Sequence, residues 1–139
     1  MRWIFILAVW VLGGCVPYPV YKTLQPELEI KVIDDQQNPL HGAKVNLISN
    51  SYPYGWERNR ETKMTNKIGV AAFQKRSEWR LESLIIHGAE IFFWNWCVEK
   101  EGFVTYETHN RDSDIPESRV RVMLVPGLSE ECKVPVDQY

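Results

Sequence analysis

Three histidines, three cysteines and a formal net charge of −2 leave this 139-residue chain poor in the groups from which many sites are built. His41, His87 and His109 stand in separate turns or loops, without the close spacing that brings two imidazoles to one metal. The near-balanced charge gives no electrostatic pull toward nucleic acid. Long apolar runs are scarce too. The run Trp3–Leu12 would span roughly 15 Å as a helix, about half of a ~30 Å hydrocarbon core, so no permanent membrane span is expected from it. What is present is ordinary for a globular protein: 45% hydrophobic and 24% charged residues exclude wholesale disorder and leave room for one compact domain.

The apolar run has another use. Arg2 precedes it and Leu12-Gly13-Gly14-Cys15 ends it, so residues 1–14 fit a secretory leader. Those last four residues resemble the lipobox of bacterial lipoproteins: a branched apolar residue, two small ones, then cysteine. The resemblance implies a diacylglycerol on the Cys15 thiol, cleavage of the bond before it, and acylation of the new amine. Val16 follows, and no aspartate stands there; by resemblance to enterobacterial sorting, this favours an anchor in the outer membrane, facing the periplasm. An ordinary leader with Cys15 as a coincidence is the competing reading. It leaves the alignment of run, small residues and cysteine unexplained.

With Cys15 lipidated, Cys97 and Cys132 remain. They could form a disulfide, stay as a buried thiol beside a tail thiol, or serve as a metal pair lacking other ligands. An oxidising compartment favours the bridge, worth roughly 3–4 kcal/mol for a loop of this size.

Residues 15–26 carry Pro17, Pro19 and Pro26, which oppose a helix and suggest an extended tether. Residues 27–139 read as one β domain. Leu28, Ile30 and Val32 alternate with Glu29 and Lys31, and Ala43, Val45 and Leu47 with Lys44 and Asn46, the period of half-buried strands. Further strands are expected over Glu61–Thr65, Val70–Gln74, Glu90–Val98, Phe103–Thr108 and Arg119–Val125. Ser49–Arg60 and Asn110–Ser118 read as loops. Between Lys75 and Gly88, Trp79, Leu81, Leu84 and Ile85 fall near helical spacing, with Ser77 and Gly88 as caps; a short helix and an irregular crossing both fit. The fold class is therefore all-β, an antiparallel sandwich of about seven strands with one short helix allowed for.

The order of motifs resembles the carboxypeptidase regulatory-like domain of the transthyretin-like (prealbumin-like) sandwiches. It is carried by Glu29–Asp34, Asn38–Leu47, Thr65–Phe73 and Val98–Phe103, within roughly residues 27–125. These segments specify backbone geometry: Gly42 and Gly69 suit turns of positive φ, and Ala43 is small where sheets approach. They specify no chemistry, and the resemblance implies a noncatalytic module for binding, spacing or assembly. Hydroxyisourate hydrolases share that fold, but their C-terminal Tyr-Arg-Gly-Ser signature is missing from the tail Cys132–Tyr139.

We therefore expect no catalytic residue, no cofactor and no metal. His109 and Asp112 place an imidazole near a carboxylate, yet no nucleophile has a recognisable setting. Candidate binding residues are Tyr52, Tyr54 and Trp56, interleaved with Pro53 and Gly55 and followed by Arg58 and Arg60. Such rings stack on sugars, anchor a protein partner, or cap the end of the core. On the strand after Glu90, Phe92, Trp94, Trp96 and Val98 share one face, and Phe93, Asn95 and Cys97 the other. Two apolar faces call for cover by the Trp79 segment or by a partner. The partners expected are a membrane, through the covalent lipid, and an envelope protein or, as the alternative, an envelope glycan.

Overall fold

The computed structural model describes residues 17–52, 57–82 and 90–133. Among them the chain is all-β, a sandwich of nine strands: β1 (Tyr18–Gln25), β2 (Leu28–Ile33), β3 (Lys44–Tyr52), β4 (Glu57–Met64), β5 (Val70–Phe73), β6 (Arg76–Glu82), β7 (Ile91–Glu99), β8 (Tyr106–Glu107) and β9 (Arg119–Met123). One sheet runs β4-β3-β7-β8, a second β5-β2-β9, and β1 and β6 form a two-stranded ribbon. All pairings are antiparallel except β2–β9.

Period-two alternation sends one side of each long strand into a common core. Val45 and Leu47 of β3 lie beside Val98 and Trp96 of β7, and Leu28, Ile30 and Val32 of β2 meet them with Phe73, Ala71 and Val122. Each such side chain removed from water contributes about 1.5–3 kcal/mol. Tight turns set the strands at this spacing. Gly42 and Gly69 adopt the positive φ expected of them, 70° and 75°. A Cβ on Gly69 would also stand 2.5 Å from the Val32 carbonyl oxygen, so this turn excludes any side chain.

The structure departs from the sequence reading in four places. Tyr18–Gln25, within the expected tether, is strand β1; a two-stranded ribbon is all edge, and edges tolerate the prolines that oppose helices. Arg76–Glu82 is strand β6 rather than the start of a helix, because registered pairing from Tyr18↔Glu82 to Gln25↔Arg76 outweighs helical spacing. The expected Ser49–Arg60 loop is mostly strand: β3 runs on to Tyr52 and β4 begins at Glu57, with Ser49, Asn50 and Ser51 buried. Only Tyr106–Glu107 of the expected Phe103–Thr108 strand pairs with β7, since Phe103 bridges to Pro126 and the Val104 N–H donates to the Val125 carbonyl.

The ribbon continues the β2–β5 pair past a break. Leu28 pairs with Phe73, Gln25 with Arg76, and Pro26 between them brings no N–H to the ladder. The buried Gln25 side chain holds the bend, donating to Glu61 Oε2 and the Gln74 carbonyl and accepting from Asn59 Nδ2. From there the ribbon lies over the Phe92 end of the core, where Trp94 Nε1 donates to the Leu24 carbonyl.

The outer face of β3 and β7 is covered as well, although not by the Trp79 segment. Asn46, Asn95 and Cys97 are buried under the chain that follows β8 and under the C-terminal tail. Cys97 and Cys132 are joined by a disulfide, with Cα atoms 6.0 Å apart and a sequence separation of 35. Asn46 Nδ2 donates to Cys132 Sγ, the Cys132 N–H donates to Glu99 Oε1, and Asn95 Oδ1 accepts from the Asn110 N–H. Opening the bridge by Cys97→Ser with Cys132→Ser should cost roughly 3–4 kcal/mol in denaturant unfolding. Hydrogen exchange in the double variant should show loss of protection in the tail and at Asn110, with the β2–β5 turn unaffected.

Candidate functional site

The predicted aromatic cluster lies where β3 passes into β4. Tyr52 ends β3, is 56% exposed, and pairs across the ladder with Ile91, 46% exposed. The two share the outer face of the four-stranded sheet and form an apolar pair at its end. Tyr54 and Trp56 lie outside the described residues, as does His87.

Both arginines of the expected set are engaged within the fold. Ser49 pairs with Asn59 and Asn50 with Glu57, so Arg58 is the extra residue of a β-bulge, a device that re-aims a side chain. Its Nε donates to Ser51 Oγ at 2.7 Å, and its Nη2 lies 2.9 Å from Glu90 Oε1. Arg60 makes a two-pronged bond to Glu57, at 2.8 and 2.7 Å. That hydrogen bond raises the Arg60 pKa, and burial opposes it only in part. Next along β4, burial alone would raise the Glu61 carboxyl, but hydrogen bonds from Gln25 and Lys63 with nearby Lys63 and Arg76 charges hold it below the ordinary range.

Arg58 leads into a cluster that sequence reasoning missed. Glu90 Oε2 accepts from Arg80 Nη1 at 2.8 Å, the Glu90 carbonyl accepts from Lys22, and Lys22 also pairs with Glu82. The Glu90 N–H in turn donates to Glu82 Oε1 at 3.2 Å. The Arg80 guanidinium stands 5.7 Å from the centre of the Phe92 ring. Five charged residues thus fasten the underside of the β1–β6 ribbon to β4 and to the start of β7. With charge turned inward, the ribbon's other face carries Pro19, Tyr21 and Thr23 opposite Leu81, Trp79 and Ser77. The signal for this was present as period-two alternation in both segments, hidden by the prolines of one and the helical spacing of the other.

Other polar groups are committed to structure. Cys97, Glu107 and Cys132 bring three ligand-type atoms within 4.8 Å of one another, but the disulfide consumes both thiolates. A shallow depression lined by Gly42, Lys44, Glu99, Lys100, Glu101 and Ser129 contains the Lys44–Glu99 pair at 3.2 Å, and Lys100 donates to the His41 carbonyl. His41, His109 and Asp112 are exposed, and among the described residues no ion pair joins either histidine to a carboxylate.

Removing the hub of the ion cluster should loosen the ribbon selectively. Glu90→Ala strips a partner from Arg58 and Arg80 and should cost about 1–3 kcal/mol, less at high salt. Hydrogen exchange should then show β1 and β6 losing protection before β2, β3 and β7. Comparison of the chain with family models, with curated proteins and with solved structures finds no match, so its own residues must carry the functional argument.

Proposed function

We propose that this chain is a noncatalytic, lipid-anchored periplasmic domain that acts by protein contact in an envelope assembly. In this reading Cys15 carries the lipid at the periplasmic face of the outer membrane, and the sandwich is a transthyretin-like module of the carboxypeptidase regulatory-like kind. The observation that carries the contact is the Tyr52–Ile91 pair, two large side chains held side by side in solvent at the end of a sheet buried on both faces. The bulge and ion pairs beneath them fix the strand ends, so little conformational entropy is lost when a partner docks. Glycan recognition is the weaker alternative. It calls for polar arms beside the stacking rings, and Arg58 and Arg60 are bonded to Ser51, Glu90 and Glu57 instead.

A photocrosslinker introduced at Ile91 in cells should join the lipidated protein to one envelope protein, identified by mass spectrometry. That adduct should fall at least tenfold on Tyr52→Ser, a loss of about 1.4 kcal/mol in binding. Absence of any protein adduct, with the mature domain instead retained on purified cell-wall glycan, would favour the alternative.

A further inference from the structure

The polarity of the β1–β6 ribbon is inverted relative to a ribbon folded for water alone. One face holds Lys22, Arg80 and Glu82, tied to Glu90, together with the half-exposed Glu78 beside Arg80, whereas the opposite, outer face carries no charged side chain. On that outer face Tyr21 is 58% exposed, Trp79 70% and Leu81 74%. The rings of Tyr21 and Trp79 pack against each other with centroids 5.2 Å apart. Pro19 extends the apolar surface beside Leu81, and Thr23 and Ser77 continue it with hydroxyls. Leaving such a face in water forgoes about 25 cal/mol for every Å² of apolar surface, so it suits a neighbour that excludes water.

We infer that this face rests on the phospholipid surface to which Cys15 is attached; the inference depends on the lipidation proposed above. The length of chain argues for it. Only Val16 and Pro17 separate Cys15 from Tyr18, so β1 starts within roughly 10 Å of the acylated cysteine, and Tyr21 lies within about 20 Å at ~3.3 Å per residue. A domain held that closely keeps one side at the headgroups whatever else it binds. The residue types argue for it as well. Tyrosine and tryptophan present an apolar body with a polar tip and settle at the boundary between headgroup and hydrocarbon. The charge-free face leaves no ion to be stripped of water and no carboxylate to oppose anionic lipids. The Tyr52–Ile91 pair belongs to a different sheet, so membrane seating and protein contact use separate surfaces.

The test uses the mature protein extracted from membranes and returned to vesicles of phosphatidylethanolamine and phosphatidylglycerol, with plain or brominated acyl chains. Mass spectrometry of the N-terminal peptide first reads whether Cys15 is acylated. Brominated lipid should then quench tryptophan emission, and most of that quenching should vanish in Trp79→Phe, whose exposed position leaves the fold intact. A photocrosslinker at Leu81 should yield lipid adducts. An acylated Cys15 with equal emission in both vesicles would overturn the membrane contact alone. An unmodified Cys15 would overturn the anchor and the inference with it. Adducts at Leu81 to a protein, or to a second copy of this chain, in place of lipid would assign the face to that partner.

Discussion

The nine-residue ladder between β3 and β7, from Lys44↔Glu99 to Tyr52↔Ile91, is the constraint around which the rest of the molecule is arranged. Both strands are buried on both faces for most of their length, and a strand pair in that position must be covered twice. The three-stranded sheet and the ribbon cover the inner face. The outer face, rich in asparagine, is covered by chain that has little regular structure and is held down by side-chain hydrogen bonds and the Cys97–Cys132 bridge. A small domain gains much from such a staple, because its single core leaves a narrow margin of stability. At the Tyr52–Ile91 end the ladder runs beyond its cover, and two large side chains are left in solvent.

The ribbon obeys a different rule. It is the far part of the β2–β5 arm, bent at Gln25 and Pro26, and it is fastened by charge where the rest of the sandwich is fastened by apolar packing. Partly buried ion pairs add modest stability, and they fix orientation, since each charge must meet its partner to offset its lost hydration. Lys22, Arg80 and Glu82 can meet Glu90, which also holds Arg58, only if Tyr21, Trp79 and Leu81 face outward. One set of ion pairs thus presents an aromatic surface within a short reach of Cys15.

Much of the fold was legible in the sequence, and the reasons are local. Leu28, Ile30 and Val32 alternate cleanly because β2 lies between neighbours with one face to the core, and Gly42 and Gly69 mark turns that other residues would strain. The Cys97–Cys132 pairing is the one that cysteine number and an expected oxidising compartment favour, and the structure contains it. Legibility failed where tertiary pairing decided the outcome. Tyr18–Gln25 resembled a tether because proline opposes helices without distinguishing an edge strand from an extended linker. Trp79, Leu81, Leu84 and Ile85 resembled a helix because spacing alone cannot register β6 against β1. Of the candidate site, the sequence leaves open whether Tyr52 caps the core or faces solvent, and the fold exposes it; Arg58 and Arg60 read as polar arms beside the rings but are bonded inside the fold, because a bulge and a contact with Glu90, distant in sequence, leave no local mark.

The inward charge and outward aromatics of the ribbon are the central claim, and hydroxyl-radical footprinting of the protein in solution, free of detergent and vesicles, reads them directly. Tyr21 and Trp79 should oxidise rapidly, while Trp94 and Trp96, buried in the core, should stay protected. Protection of Trp79 equal to that of Trp94 would mean that the ribbon is turned the other way, and the account of how its charges and its aromatic face are arranged would be wrong.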